Sequence, residues 1–565
     1  MLAVYKDLHC VYNPQSSSRR RRNPELLRNQ SVFQQRSPAS LSPSPSTAAA
    51  TGDERTATPD QERAIQTVDF PSVLFLDSKL SRKYHVEIPT AKTALPAYVC
   101  SIIGDISHQH GIAQLFFEKV HPWIPIISMK RFHEHINPLC PLRSDYALLI
   151  LCMDLISWLP GSQIQVPRTT TYLAAKRYYL DLEVAGILSI QCLQAGMLIA
   201  IFELGHAIYP SAFLSVAACA RYGSALGLDW RTNLSRGDPL SWLDVEEQSR
   251  VWWAIALLDR VTNIGQPERR LIVADPGVDA LLPRSDIEWD QGIMPSRPPY
   301  SVSAPSIKWG DMGPFALTAQ ATRLLGQVLN HVSQPTDLDQ EEAILLDRAL
   351  RALARVVDVE GQLQDLHMMN QEAICSIALV MLHEAHASLT AKTKTSIHFS
   401  ASHHVMNCIS SVSRSIEALP DHTGYRSVVT CVEEASPFLL TLLYMVACVN
   451  ARLQKEKQTS ESLEAAVVLK SVLGKFDTRW KAAVHLTCQN RRVIFGGTYP
   501  RSHLLLQVVR RKSTYRTSFP KKPAVSSITR LAITHNLDLA SDIECHPSVV
   551  FSKQVKNVVV FVNLP

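Results

Sequence analysis

Residues that do chemistry reveal themselves by spacing, and this sequence contains several near matches to catalytic and metal-binding patterns. His383-Glu384-Ala385-His386 sets its histidines three apart. Zinc hydrolases need H-E-x-x-H, four apart, so that both imidazoles meet one ion from one side of a helix. Gly223-Ser224-Ala225-Leu226-Gly227 carries its serine one place too early for the G-x-S-x-G nucleophile elbow. His108 with His110 and His133 with His135 have no companions at a fixed spacing, and they read as surface or capping histidines. His121-Pro122-Trp123 has no second titratable group spaced to make His121 a general base, and its prolines predict a rigid packed corner. Neither a P-loop nor a dinucleotide fingerprint occurs. These patterns predict no catalytic residues, no enzyme, and no metal site in the body of the chain.

Composition narrows the class further. The 12 cysteines are scattered without a C-x-x-C pair, and Cys152, Cys192, Cys219 and Cys448 lie within apolar helical patterns, as reduced core cysteines of an intracellular protein do. A hydrophobic content of 46% over 565 residues supports a sizeable core. The net charge of +6 is small, but basic residues gather at Arg19-Arg20-Arg21-Arg22 and between Arg510 and Lys522. The first run could contact phosphate or serve nuclear import. The most apolar stretch, Val184 to Phe202, is broken by Gln191 and Gln194 and followed by Glu203, so it predicts a core helix and no membrane association.

The elements that must position any site centre on Asp244 to Gly265. Asp244 and Glu247 are spaced as a carboxylate version of a capping box, so the helix is expected to start there and to stop at Gly265-Gln266-Pro267. Val251, Trp252, Ile255, Leu258 and Thr262 fall at three- and four-residue steps, and Trp253, Ala254, Leu257 and Val261 widen the apolar arc until little solvent-facing surface remains. Glu247, Arg250, Asp259 and Arg260 are therefore embedded charges. Either some pair with neighbouring helices, with Arg221 the candidate partner of Asp259, or all four line a narrow exposed edge.

Around this helix the pattern is helical throughout. Phe116, Phe117 and Val120 run into the His121 corner, Ser144 to Trp158 and Thr169 to Tyr179 follow, and Ser189 to Trp230 reads as a helical hairpin turning near Tyr209-Pro210. Ala217, Ala218, Ala220, Gly223 and Ala225 predict close helix approach. Further helices are expected over 315–332, 341–357, 371–390, 403–419, 429–453 and 460–486, the last with Phe476 and Trp480 on one face. The predicted fold is all-α, an irregular multi-helix array with no sheet of consequence. Residues 31–68, rich in Ser, Pro, Thr and Ala, read as a disordered linker, and the Val- and Phe-rich C-terminus favours a strand.

These stretches resemble the regulatory domain, or middle homology region, of fungal-specific transcription factors of the binuclear zinc-cluster family. The matching residues are the His121-Pro122-Trp123 corner, Gln191, Arg221 and Gly227-Leu228, then Glu246, Glu247, Arg250, Trp252, Trp253, Asp259 and Arg260, and finally Asp275, Asp279, Leu282-Pro283, Asp286 and Trp289. Ser249 stands where the family usually has a further arginine. Cys10 with Val11-Tyr12 resembles the last loop of a zinc cluster, which holds two zinc ions with six thiolates. The resemblance implies four segments: 1–14 a zinc-cluster remnant, 15–96 a basic then Ser/Pro-rich linker, 97–490 the regulatory helical domain, and 491–565 a divergent basic tail. It implies a nuclear regulator of RNA polymerase II genes. Cys10 is then an orphan zinc ligand, so the chain as written holds no cofactor, zinc would bind only with upstream cysteines, and direct specific contact with DNA is impaired. Homo- or heterodimers with related regulators and co-regulator proteins are the other expected partners. The alternative is an interaction module that does not bind DNA but dimerises with, or titrates, an intact regulator.

Overall fold

The computed structural model of the chain describes residues 71–77, 94–136, 141–160, 167–229, 241–295, 297–303, 312–333, 339–364, 369–390, 432–456 and 460–483. The segment 1–14 expected as a zinc-cluster remnant, the arginine run, most of the linker expected over 15–96, the helix expected over 403–419 and the tail expected over 491–565 lie outside these residues.

Beyond a single turn at Val73–Leu76, the described chain folds into helices set by local capping. The helices α1 (Ala97–Ile103) and α2 (Ile106–Lys119) precede a short 3₁₀ turn, His121–Trp123. There Pro122 ends regular helix, because it has no N–H to donate. Next come α3 (Met129–His135), α4 (Ser144–Ser157), α5 (Thr170–Val184), α6 (Ile190–Gly205) and α7 (Ser211–Ala225). Side-chain oxygens of Asp105, Ser128, Thr169 and Ser189 accept from the first-turn N–H groups of α2, α3, α5 and α6, satisfying donors that a helix start leaves open. The predicted apolar run from Val184 is in fact two elements. Gly186, at φ +76, turns the chain out of α5, with Ile187 N–H returning to the Leu182 carbonyl at 3.0 Å.

Two helices that are apolar all round, α4 and α6, form the middle of the first half and pack on each other, with α1, α2 and α5 against α4 and α7 against α6. The long helix α8 (Trp242–Asn263) packs on α7 on one side and on α10 (Pro314–Val332) on the other, joining the first half of the core to the second. Between them lies the short α9 (Asp286–Gln291). The second half stacks α10, α11 (Gln340–Gln364), α12 (Met369–Thr390), α13 (Phe438–Glu456) and α14 (Ser460–Phe476) in turn. The fold is all-α, and among the described residues the one β contact is an isolated antiparallel bridge, Leu281 to Ser301. Among those residues no helix is long and apolar enough to cross a membrane.

Three expected boundaries move. The start of α8 is Trp242, capped by Ser241, whose hydroxyl accepts from Asp244 N–H at 3.2 Å while the Asp244 carboxylate accepts from Ser241 N–H at 3.1 Å. The capping box is thus Ser241 with Asp244, and Glu247 is released for another task. Within the segment expected over 429–453, Val432–Glu434 form a 3₁₀ turn, and the described chain is α-helical from Phe438, after Pro437. The last helix stops at Phe476, and the chain folds back so that Arg479 and Trp480 are buried.

Candidate functional site

The embedded charges of α8 point to three different segments, and each finds a partner. Glu247, 3% exposed, accepts from Ser128 N–H and from Gln194 Nε2, both at 2.9 Å, and Gln194 also donates to the Ile126 carbonyl at 2.7 Å. Arg131 pairs with Asp244. Together these contacts fix the corner that follows His121. The glutamine that interrupts the apolar run of α6 is therefore the residue that satisfies a buried carbonyl and a buried carboxylate at once.

Arg250 is fully buried and ties together α8, the Pro283–Asp286 segment and α9. Its Nε donates to Glu246 at 2.8 Å, Nη1 to Asp286 at 2.5 Å and Nη2 to the Arg284 carbonyl at 2.9 Å, while its guanidinium lies 4.1 Å from the centre of the Trp289 ring. Burial works against its charge, but Asp286 and Glu246 more than offset this and hold its pKa above the ordinary value. The second oxygen of Asp286 accepts from Phe315 N–H at 3.0 Å in the first turn of α10.

At the far end of α8, Arg260 donates to Asp275 at 2.8 Å and to the Ala256 carbonyl at 3.2 Å. Asp259 accepts from Val273 N–H at 2.9 Å, and burial raises its carboxyl pKa, countered by that bond and by Arg260. Arg221, the expected partner of Asp259, is instead exposed on α7. The reason is that the segment after α8 doubles back and offers Asp259 a nearer donor. The edge alternative fails for all four charges, each of which is 3% exposed or less.

The tryptophan pair divides between two faces. Trp253 donates its N–H to the Leu281 carbonyl at 3.0 Å, whereas Trp252 lies against Gly223 of α7, where an added Cβ would sit 2.9 Å from its ring. The small-residue face of α7 is therefore the seat for this ring.

The remaining chemistry-bearing residues are placed as packing or capping groups. Ser224 donates to the Ala220 carbonyl within α7 at 3.0 Å. On α12, His383 contacts Asp347 of α11 at 2.7 Å, and His386 contacts His331 of α10, Nε2 to Nε2, at 3.0 Å. His331 in turn donates from Nδ1 to Glu342 at 2.6 Å. His108 bonds the Ile103 carbonyl, His135 bonds the Arg131 carbonyl, and His110 stacks on His133. Among the described residues no group of three or more His, Cys, Asp or Glu is placed to hold a metal ion. Burial pushes the thiols of Cys192, Cys219 and Cys375 up to about 12, which disfavours the thiolate that zinc requires. These three buried thiols thus do not fit a zinc site.

Residues 113–357 match the fungal specific transcription factor domain. Transcription factor BOA15 of Botryotinia fuckeliana (strain B05.10) is 34% identical over 178 residues, 31% of this chain and 97% of that protein. The chain belongs to the fungal-specific transcription factor domain family. Transcription factor tazR of Aspergillus terreus is 27% identical over 169 residues, 28% of this chain, and an uncharacterized transcriptional regulatory protein of Schizosaccharomyces pombe is 23% identical over 251 residues, 42% of this chain. The chain spans only 25% and 30% of the length of these last two. Within this family domain lies a cleft of about 940 Å³ bounded by the His121 corner, the Leu282–Asp290 segment, the Pro298–Tyr300 segment and the start of α10. His121 stacks on Trp289, ring centres 5.8 Å apart and nearly parallel, and donates from Nε2 to Asp290 at 2.9 Å.

Two contributors lay outside sequence reasoning. Arg131 carries no pattern of its own. Arg479, 1% exposed, donates to the Ile156, Trp158 and Glu433 carbonyls at 2.6, 2.8 and 3.0 Å, and burial pulls its pKa down to about 10. Its signal was its place between Phe476 and Trp480, inside an apolar face.

Proposed function

We propose that this chain regulates transcription of RNA polymerase II genes in the nucleus, with the helical body as the part that sets activity. The observation that carries this is the family match over 113–357, which contains the α8 hub, together with similarity to proteins named transcription factors. The hub holds segments in place and presents no nucleophile and base in mutual reach, so the role is conformational and not catalytic. Sequence-selective DNA reading belongs to a zinc cluster, and Cys10 alone cannot replace six thiolates. Zinc and direct, specific DNA contact therefore depend on a complete cluster, while Arg19, Arg20, Arg21 and Arg22 supply non-specific, salt-dependent phosphate contact or nuclear import.

A reporter assay tests the regulatory role. The chain fused to an unrelated DNA-binding domain is expected to change reporter output several-fold in a fungal host. An unchanged output from a nuclear, folded fusion would remove the reading. A mobility shift tests the DNA part separately, since a zinc-dependent, sequence-selective complex formed by this chain as written would overturn the orphan role of Cys10.

The second reading is an interaction module that dimerises with or titrates an intact regulator. The outer face of α5 favours it, where Leu173, Leu180 and Val184 are 56%, 54% and 64% exposed along one stripe. Sedimentation of the wild type and of Leu180→Glu distinguishes the readings, because a monomer in both cases would leave the module without its interface.

A further inference from the structure

Helix α11 flanks the second half of the body, packed on α10 and α12. Ala343, Leu346, Leu350, Leu353 and Val357 face that core and are buried. The outer face has a period of its own. Leu345, Ala352 and Val359 recur every seven residues, and Arg348 and Arg355 recur every seven between them. All five are exposed, Leu345 at 64% and Val359 at 37%. Alternating steps of three and four residues are the spacing of a coiled-coil seam, which keeps one stripe of a helix against a second helix. Among the described residues no helix covers this stripe.

The charges of the face divide into spent and unspent. Arg351 donates to Asp347 at 2.7 Å, and Asp347 also accepts from His383 at 2.7 Å, so the central carboxylate is engaged twice. Arg348 and Arg355 flank Arg351, and neither forms an ion pair or a side-chain hydrogen bond with a described residue. The other exposed carboxylates stand toward the ends, Glu341 and Glu342 on one side and Asp358 on the other. The face is thus basic in the middle, apolar along its seam and acidic at its ends.

That order selects an occupant. A second copy is disfavoured, because the arginines hold the middle of the stripe, and pairing α11 with itself, parallel in register or antiparallel about its centre, sets like charges together. Duplex DNA is disfavoured as well, since Glu341, Glu342 and Asp358 repel phosphate and nothing in a phosphate backbone covers Leu345. We propose that the outer face of α11 docks an amphipathic helix of a partner protein that carries Glu or Asp one heptad apart within an apolar seam. Its carboxylates accept from Arg348 and Arg355, and its apolar residues cover Leu345, Ala352 and Val359. Arginine suits this place, because its planar fork meets a carboxylate through two N–H donors while its stem adds apolar cover. The surface belongs to the helical body and does not depend on whether the chain itself reads DNA.

The full chain is titrated by fluorescence anisotropy with two labelled helical peptides of about three heptads each. They share one leucine seam and carry either glutamates or lysines at the positions opposite Arg348 and Arg355. The glutamate peptide is expected to bind at least about tenfold more tightly than the lysine peptide, and to weaken as salt is raised from about 50 to 500 mM. Arg348→Glu combined with Arg355→Glu should reverse that order and leave the melting temperature unchanged, since both side chains are exposed. Equal binding of the two peptides, an order that the double variant does not reverse, or no binding of the glutamate peptide up to about 1 mM would each overturn the assignment. Tighter binding of a random-sequence DNA duplex than of the peptide, lost in the double variant, would give the face to nucleic acid instead. A concentration-dependent dimer that the double variant abolishes would give it to a second copy.

Discussion

Arg250→Met is the sharpest perturbation of the hub. The side chain removed is fully buried, and its loss leaves Glu246 and Asp286 facing each other across the site with their shared cation gone. Neither acid is wholly abandoned, since Glu246 keeps Arg284 N–H at 2.8 Å and Asp286 keeps Phe315 N–H at 3.0 Å. Breaking a buried pair from one side costs about 3–5 kcal/mol. With an unfolding entropy of about 2 cal/mol/K per residue, a cooperative unit of roughly 300–400 residues turns that into a fall of about 4–8 °C in melting temperature. Calorimetry of the purified chain measures it, with Arg177→Met, whose side chain is 73% exposed, as the surface control. Arg250→Met combined with Asp286→Asn should cost clearly less than the sum of the single changes, because the second removes the charge that the first strands. An Arg250→Met transition within 1 °C of the control, or full additivity in the double variant, would refute the coupling.

Asp259→Ala should destabilise by about 1–3 kcal/mol, since Val273 N–H loses its acceptor in a buried site, whereas Arg221→Ala should be neutral; urea denaturation separates them. Gly205→Ala would drive a Cβ into the buried Trp480 ring and should cost about 1–3 kcal/mol, read by the same denaturation curves. His206, held down to about 3 chiefly by burial and then by Arg479 and Lys481, stays neutral in the fold while the unfolded chain takes up a proton below about 6.5. Because the unfolded state binds more protons, stability falls as pH drops from about 6.5 toward 3, by about 2 kcal/mol at pH 5. His206→Phe should flatten that part of a melting-temperature profile. His386, lowered by burial and then by His331 and His383, acts in the same direction, and His386→Gln should remove its share.

The helix order and the central place of α8 were legible because apolar periodicity is local, and burial of Trp252 and Trp253 follows from it. Partner choice was not legible in the same way. Asp259 and Arg221 suit each other by charge, yet the return of the chain through Val273 decides the matter, and that return has no periodicity to read. The α8 start was misplaced because Asp244-Glu247 and Ser241-Asp244 both satisfy capping spacing, and only the demand of Ser128 N–H and Gln194 for an acceptor draws Glu247 inward. The cleft was invisible for a related reason, since its walls come from loops far apart in sequence, joined at the His121–Asp290 contact.

Arg479 closes onto carbonyls more than 300 positions earlier, at Ile156 and Trp158. During synthesis on the ribosome α4 therefore emerges long before the group that completes its end. Any product stopping short of Arg479, whether from a premature stop codon or an altered splice, leaves the Ile156 and Trp158 carbonyls without this donor, while Trp480, which fills the space beside Gly205, is lost with it. A fragment that already carries the whole α8 hub therefore still lacks the donor that completes the end of α4.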